Sequence, residues 1–283
     1  MFPLVSTDWV HARLAEKKAE LRVIDVRWYL SGKRGADAYT SGHLPGAAFV
    51  DLDHALASDP KIGPGRHPLP AREVFENAMR AAGVNDTSFL VAYDDASGSI
   101  AARVWWLLRH FGHSESAVLD GGIDAWKKAG FEITTSPAQI TPGDFHAKEA
   151  RSDVVDREEV KRALARGALV LDARARERYR GDAEPIDARP GHVPGAVCAP
   201  WKENLEGGAF ACAGDLAKKY EALGASQGRE IIAYCGSGVT ACHDLLALEL
   251  AGIHGAKLYE GSWSDWARQA DLPAAKGSDP GKL

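Results

Sequence analysis

The chain has 283 residues, of which 45% are hydrophobic and 26% charged, a composition typical of a globular protein with about two domains. Its 34 basic and 39 acidic side chains leave a formal charge of −5, which argues against nucleic acid or an anionic membrane as a partner. No apolar run approaches the roughly 18 residues of a membrane span, and the start lacks the basic segment of a secretory signal. None of the four cysteines belongs to a CxxC pair or to a zinc-binding spacing. We therefore expect a cytoplasmic protein with reduced thiols and no structural metal.

Short apolar runs alternate along the chain with stretches of helical periodicity. The apolar runs predict buried strands at residues 21–25, 47–50, 89–93, 117–119, 168–172, 196–199, 230–234 and 257–259. The periodic stretches predict helices at residues 71–82, 101–111, 123–129, 215–223, 241–251 and 263–269. Such alternation predicts an α/β fold in which parallel sheets carry helices on both faces, with the ligand beyond the carboxyl ends of the strands.

The second half of the chain repeats the first. Four landmarks recur in the same order: residues 23–27 at 170–174, 42–47 at 191–196, 89–94 at 230–235, and 120–126 at 260–266. This repeat is far longer than the roughly 20–50 residues of a solenoid unit, so it indicates a duplicated domain. We place the first domain at residues 5–131 and the second at 151–272, joined by a linker at 132–150 and followed by a flexible tail at 273–283. The first copy is longer by a Gly- and Pro-rich stretch at 59–68, which predicts a surface loop.

Features that both copies share most simply serve the fold, whereas features of one copy are candidates for function. Each copy has a Gly-His-x-Pro-Gly-Ala turn and an aspartate at the end of a strand. Turn formation and capping account for these residues, so we expect structural roles for them. They are Asp25, His43, Asp172 and His192.

The copies differ where the third predicted strand of each ends. The second copy has Cys235 there, followed by Gly-Ser-Gly-Val-Thr and a helix, whereas the first copy has Asp94. A cysteine between a strand and a helix, in a glycine-containing turn, lies where backbone N–H groups and the helix dipole stabilise a thiolate and bind an anion. Most cysteines are instead small buried hydrophobes. We expect that role for Cys198, Cys212 and Cys242, and we identify Cys235 as the candidate nucleophile.

The whole chain resembles the two-domain rhodanese superfamily of sulfurtransferases. Residues 39–47 are similar to its N-terminal signature and residues 259–266 to its C-terminal one, with Asp265 where glutamate is usual. The resemblance implies tandem duplicated rhodanese domains, of which the first is catalytically inert and the second carries a persulfide on Cys235.

Residues 235–240, here called the cysteine loop, are similar to the loop of the 3-mercaptopyruvate sulfurtransferases. Thiosulfate sulfurtransferases of the family carry Arg and Lys at the positions of Gly236 and Ser237, and those two cations suit a dianionic donor. The resemblance implies that an arginine binds the donor carboxylate, and Arg178 matches it. A second arginine of that group is missing, because Ile186 and Asp187 stand at its place. Whether Arg189 replaces it stays open.

These observations predict a ping-pong sulfur transfer without metal or cofactor. Backbone N–H groups of Gly236, Gly238, Val239 and Thr240 would hold the transferred sulfur, and Ser237 would polarise the donor carbonyl or relay a proton. The donor is predicted to be 3-mercaptopyruvate, with thiosulfate as the alternative. The acceptor is predicted to be cyanide, a thiol or a thioredoxin-like protein, with neither nucleic acid nor membrane as a partner.

Two other classes of function also describe a cysteine in an anion-binding loop. A cysteine phosphatase needs Cys-x5-Arg to bind phosphate, and here Ala241 stands at the arginine position. A non-catalytic partner-binding module would be expected to have a degenerate loop, and the retained Cys235 argues against it.

Overall fold

The computed structural model describes residues 2–16, 20–226 and 228–283, and the chain divides into two compact units. The first unit comprises the residues up to Ala57 together with Pro70–Arg151. The second comprises Ser58–Leu69 together with Ser152–Leu283. The segment Ser58–Leu69, which precedes most of the first domain's predicted elements, therefore packs as part of the second unit.

The first unit is built on a five-stranded sheet in which all neighbouring strands are parallel. Its strands are β1 (Leu4–Val5), β2 (Leu21–Asp25), β3 (Ala48–Phe49), β4 (Phe89–Tyr93) and β5 (Ser116–Leu119), in the order β1-β5-β4-β2-β3. Its helices are α1 (Thr7–Ala15), α2 (Gly35–Ser41), α3 (Arg72–Ala81), α4 (Ala101–His110) and α5 (Gly122–Lys128), with a π-helical turn at Leu52–Leu56. The central strand β4 is almost entirely buried, as its apolar sequence requires.

The second unit repeats this architecture. Its strands are β6 (Val154–Val155), β7 (Leu169–Asp172), β8 (Val197–Cys198), β9 (Leu205–Glu206), β10 (Ala209–Phe210), β11 (Ile231–Tyr234) and β12 (Lys257–Tyr259). Its helices are α6 (Arg157–Ala165), α7 (Arg176–Arg180), α8 (Ala213–Ala222), α9 (Ala241–Leu250) and α10 (Ser262–Trp266), with a 3₁₀ turn at Trp201–Asn204. The parallel sheet has the order β6-β12-β11-β7-β8, and β9 and β10 form a separate antiparallel pair. The equal strand order of the two sheets confirms the duplicated α/β fold.

The apolar runs located the inner strands well, whereas the first strand of each unit and several helices were not predicted. The predicted strands at 21–25, 89–93 and 257–259 have the observed bounds. The edge strands β1 and β6 have two residues each, which is too short for any periodicity to show. Helices α1, α2, α6 and α7 were also not predicted.

The motifs shared by both copies form the same network of side-chain contacts in each unit. In the second unit the Arg174 guanidinium pairs with the buried Asp172 at 2.6 Å and donates to the carbonyl of Gly191 at 2.7 Å. The His192 ring stacks on Tyr179 at 3.7 Å, with Nδ1 2.8 Å from that residue's carbonyl oxygen. The first unit makes the same contacts with Asp25, Arg27, Tyr39, Gly42 and His43. Both motifs therefore serve the fold.

The segments expected to be a linker and a flexible tail pair with their units. Phe145 is fully buried, and Thr134 forms an antiparallel bridge with His43. In the tail, Ala275 forms the equivalent bridge with His192. The Gly277 N–H donates to the Arg180 carbonyl at 2.9 Å and the Gly195 N–H to the Pro280 carbonyl at 2.6 Å, so the backbone of this segment hydrogen-bonds within the second unit. Among the helices that the structure describes, none is long and apolar enough to cross a membrane.

Candidate active site

Cys235 follows β11 and begins the cysteine loop, which leads into α9. Its side chain is 2% exposed, and Sγ accepts a hydrogen bond from the Gly238 N–H at 3.2 Å. Gly238 has φ of +80°, and an added Cβ would lie 2.5 Å from the carbonyl oxygen of Glu260. Only glycine satisfies both constraints. This geometry directs a backbone N–H at the sulfur, where it stabilises negative charge.

The C-terminal signature of the chain holds the cysteine loop through backbone groups. The Cys235 N–H donates to Ser262 Oγ at 3.1 Å, and the Trp263 N–H donates to the Cys235 carbonyl at 2.9 Å. The Ser264 N–H donates to the Gly236 carbonyl, also at 2.9 Å. The start of α10 therefore fixes the position of the nucleophile and of the residue after it.

Val239 and Thr240 close the loop and begin the following helix. Their carbonyl oxygens accept the N–H groups of Cys242 and His243 at 3.1 Å each, and α9 starts at Ala241. The loop therefore runs directly into the positive end of a buried helix, as the sequence predicted.

Ser237 has a partner that sequence reasoning missed. Its Oγ lies 2.7 Å from Nδ1 of His67, and both side chains are buried. His67 belongs to the segment Ser58–Leu69, which is fixed by hydrogen bonds from the Arg66 N–H to Ser264 Oγ and from the Leu69 N–H to Glu260, each 3.0 Å. The one sequence signal for His67 was that its loop occurs in the first copy only.

Two guanidinium groups lie against the cysteine loop. An added Cβ at Gly236 would lie 3.0 Å from Nη2 of Arg66 and 3.4 Å from Nη1 of Arg178. Arg178 was predicted, whereas Arg66 was not. Arg189 points elsewhere, since its Nη2 donates to the carbonyl oxygen of Gln269 at 3.0 Å. The second arginine beside the loop is thus Arg66.

Both guanidinium groups have carboxylate partners. Asp187, whose side chain is 3% exposed, pairs with Arg66 and, at 2.8 Å, with Arg178. Glu184 accepts a second hydrogen bond from Arg178 at 2.7 Å. Burial raises the pKa of the Asp187 carboxyl, and the charge of Arg66 opposes that rise. An anion that binds these arginines has to share them with two acidic side chains.

In the equivalent loop of the first unit, residues 94–100, the side chain of Asp94 fills the space that the backbone N–H groups enclose. Asp94 is fully buried, and its Oδ1 accepts the N–H groups of Ala96 and Gly98 at 2.8 Å. Its Oδ2 accepts those of Ile100 and Ala101 at the same distance. The N–H groups that would bind an anion are therefore satisfied by a carboxylate of the chain.

The other cysteines lie in different surroundings. Burial raises the pKa of the Cys198 thiol to about 12. Cys242 is buried within α9, and Cys212 is exposed, with Sγ 3.1 Å from an Asp215 carboxylate oxygen. The exposed Cys212 differs from the buried role expected for it. Cys235 alone among the four stands at the end of a central strand in a glycine-containing loop.

The chain is similar to known proteins over nearly its whole length. The rhodanese-like domain family matches residues 6–129 and 156–269. The chain is 42% identical to the probable 3-mercaptopyruvate sulfurtransferase of Pseudomonas aeruginosa, covering 97% of this chain and 98% of that protein. It is 38% identical to the putative thiosulfate sulfurtransferase SseB of Mycobacterium tuberculosis, covering 90% and 91%. The crystal structure of SseA from Escherichia coli, with the rhodanese fold, matches with a TM-score of 0.82 at 34% identity, covering 93% of this chain and all of that one. The chain therefore belongs to the rhodanese family, as a sulfurtransferase with two rhodanese-like domains that is similar to the 3-mercaptopyruvate sulfurtransferases.

Proposed function

We propose that the protein moves sulfur from 3-mercaptopyruvate to a small nucleophile, with Cys235 of the second unit as the sulfur carrier. The observation that carries this proposal is that the Cys235 thiol lies beside a backbone N–H group, with two arginine side chains next to its loop. Cys235 Sγ accepts a backbone N–H, and two guanidinium groups lie beside the next residue, Gly236. The donor has a sulfur for the thiol to attack and one carboxylate for the arginines to bind.

In the first half-reaction the Cys235 thiolate attacks the thiol sulfur of 3-mercaptopyruvate. An S–S bond forms and the C–S bond of the donor breaks, so that the electron pair of that bond passes into the enolate of pyruvate. The enolate takes up a proton at carbon and leaves as pyruvate, and the enzyme keeps the sulfur as a Cys235 persulfide. The N–H groups of the cysteine loop, of which that of Gly238 already contacts Sγ, stabilise the charge of the outer sulfur.

Ser237 and His67 act on the keto oxygen of the donor. Charge develops on that oxygen as the C–S bond breaks, and a hydroxyl in the loop can donate a hydrogen bond to it. The 2.7 Å contact between Ser237 Oγ and His67 Nδ1 provides a path for a proton between the two side chains. The pair thereby polarises the carbonyl and supplies the proton that the enolate needs.

Arg178 and Arg66 orient the donor through its carboxylate. Charge-assisted hydrogen bonds from guanidinium groups are the strongest contacts available to a carboxylate here. Both groups lie beside Gly236, the residue after the nucleophile, which supports assigning the donor carboxylate to them. In the second half-reaction an acceptor such as cyanide or a thiol attacks the outer sulfur, the S–S bond breaks, and the Cys235 thiolate returns.

Intact-mass measurement after incubation with donor alone tests the proposal. The wild-type protein is expected to gain one sulfur atom with release of one pyruvate, and cyanide is expected to remove that sulfur as thiocyanate. Cys235→Ser should show neither event, while Cys242→Ser, a matched change at a buried cysteine in the next helix, should retain both. Sulfur retained on the Cys235→Ser protein, or absent from wild type with every donor, would refute the assignment.

Steady-state kinetics with each donor, with cyanide as the acceptor, decides between the two donors. Thiosulfate is a dianion, and each of the two arginines already has an acidic partner. We expect a higher kcat/KM for 3-mercaptopyruvate than for thiosulfate. An equal or higher value for thiosulfate would replace the donor but keep the sulfur carrier.

A further inference from the structure

The acidic side chain between the two arginines is unusual for a site that binds an anion. Asp187 bridges them, with one carboxylate oxygen on Arg66 and the other on Arg178. It is 3% exposed, so water screens its charge poorly. Its backbone N–H also donates to Glu184 at 3.1 Å, which holds the carboxylate in this position. Asp187 thus accepts guanidinium N–H groups of both arginines that a donor carboxylate would otherwise use.

The charges of the two arginines and of their two acidic partners balance one another. Arg66 and Arg178 supply two positive charges, and Glu184 and Asp187 supply two negative ones. The nearby Arg174 contacts Glu184 at 3.2 Å but is paired at shorter distance with Asp172. The donor therefore meets arginines whose charge is cancelled, although their N–H groups remain directed at the loop.

We propose that Asp187 is a specificity-determining residue, which selects donors of low charge by competing with them for Arg66 and Arg178. This inference rests on the proposed function, since it assigns the selectivity of the same donor site. The Coulomb energy between the Asp187 carboxylate and a donor is proportional to the charge of the donor. A dianion such as thiosulfate is repelled twice as strongly as the monoanion of 3-mercaptopyruvate.

Neutralising Asp187 therefore has a charge-dependent consequence. For a donor charge about 6 Å from the carboxylate and an effective dielectric constant of about 40, Asp187→Asn raises kcat/KM about tenfold for the monoanion and about a hundredfold for the dianion. The shape of the site hardly changes, because Asn and Asp have almost the same volume. Most of the gain is expected in KM, since the repulsion acts on binding.

The test compares both donors with wild-type protein and four variants, using cyanide as the acceptor and thiocyanate as the product. Asp187→Asn and the smaller Asp187→Ser should both raise the ratio of kcat/KM for thiosulfate to that for 3-mercaptopyruvate about tenfold. Asp187→Glu, which keeps the charge, should leave the ratio within about twofold of wild type. Asp182→Asn removes the same charge from an exposed position in the same segment, where it pairs with the exposed Arg180, and should also leave the ratio unchanged.

Three results would overturn the inference. The first is an equal gain in kcat/KM for both donors in Asp187→Asn. The second is a loss of kcat/KM for both donors in either neutral variant, Asp187→Asn or Asp187→Ser. The third is a change in the donor ratio of Asp182→Asn that is as large as the change in Asp187→Asn. Each would show that Asp187 positions the arginines or acts through general charge. Failure of the proposed function is separate, because wild type would then gain no sulfur on Cys235 from either donor.

Discussion

The buried carboxylate of the first unit gives a sharp test of how the two loops differ. Asp94 accepts four backbone N–H groups, each at 2.8 Å. Asparagine keeps one carbonyl oxygen, which can satisfy two of these groups, and directs its NH₂ at the other two. A buried donor without an acceptor costs about 1–3 kcal/mol. Asp94→Asn should therefore lower the free energy of unfolding by about 2–6 kcal/mol.

Two measurements report this loss. Denaturant unfolding gives the change in free energy, and amide hydrogen exchange of a peptide spanning residues 94–101 reports on the N–H groups themselves. Both should change strongly in Asp94→Asn. The control Asp124→Asn removes the same charge from an exposed site in the same unit and should cost less than about 1 kcal/mol.

The result also bears on function. Sulfur transfer by the folded Asp94→Asn protein should stay near the wild-type rate, since this carboxylate accepts hydrogen bonds from its own loop and from the first residue of α4. A loss of stability no larger than that of the control would refute the reasoning about the N–H groups. A large fall in kcat at unchanged stability would instead place the first unit in the chemistry.

Three further outcomes are expected at the second unit. Arg178→Ala and Arg66→Ala should each raise KM for 3-mercaptopyruvate by roughly 10–150-fold, the equivalent of one charge-assisted hydrogen bond of about 1.5–3 kcal/mol. Steady-state kinetics well below the thermal midpoint of each variant would check this, because either change also leaves the buried Asp187 carboxylate with one cationic partner fewer. Ser237→Ala should lower kcat by about 10²–10⁴-fold with a smaller change in KM, as for loss of a proton-transfer group, and an unchanged kcat would remove Ser237 from the mechanism. Burial raises the pKa of the Asp244 carboxyl to about 7, above the usual value near 4, so the folded protein binds this proton more tightly than the unfolded chain. Stability from this group therefore falls as pH rises from about 4 to 7. Asp244→Asn should remove that fall, and thermal midpoints at pH 5 and pH 8 would show it; a fall of equal size in the variant would refute the assignment.

The duplicated fold uses one loop geometry for two purposes. In the first unit four N–H groups at the turn after β4 point at the Asp94 carboxylate, and in the second unit the Gly238 N–H points at the Cys235 sulfur. A carboxylate satisfies them in the first unit, which strengthens the fold and leaves nothing to react. In the second unit the same position holds a thiol that is satisfied by one N–H from Gly238, so we expect the loop to accept the charge of an added sulfur.

Much of this protein can be predicted from its sequence because the deciding patterns are local. The repeat, the inner strands and the contrast between Cys235 and Asp94 each depend on residues close together in the chain. An apolar run of four or five residues is sufficient to predict a buried parallel strand, and a Cys-Gly-x-Gly turn before a helix is sufficient to identify a candidate nucleophile.

Tertiary structure alone decided which distant side chains complete the site. His67 meets Ser237 across 170 positions of sequence, and Arg66 lies against Gly236 because the segment Ser58–Leu69 packs within the second unit. No periodicity encodes such an approach, since it depends on how a Gly- and Pro-rich loop folds back rather than on neighbouring residues. For the same reason the sequence left Arg189 as an open candidate, although its side chain donates to a backbone carbonyl just after α10. The acidic Asp187 instead lies between Arg66 and Arg178, the two arginines that face the loop.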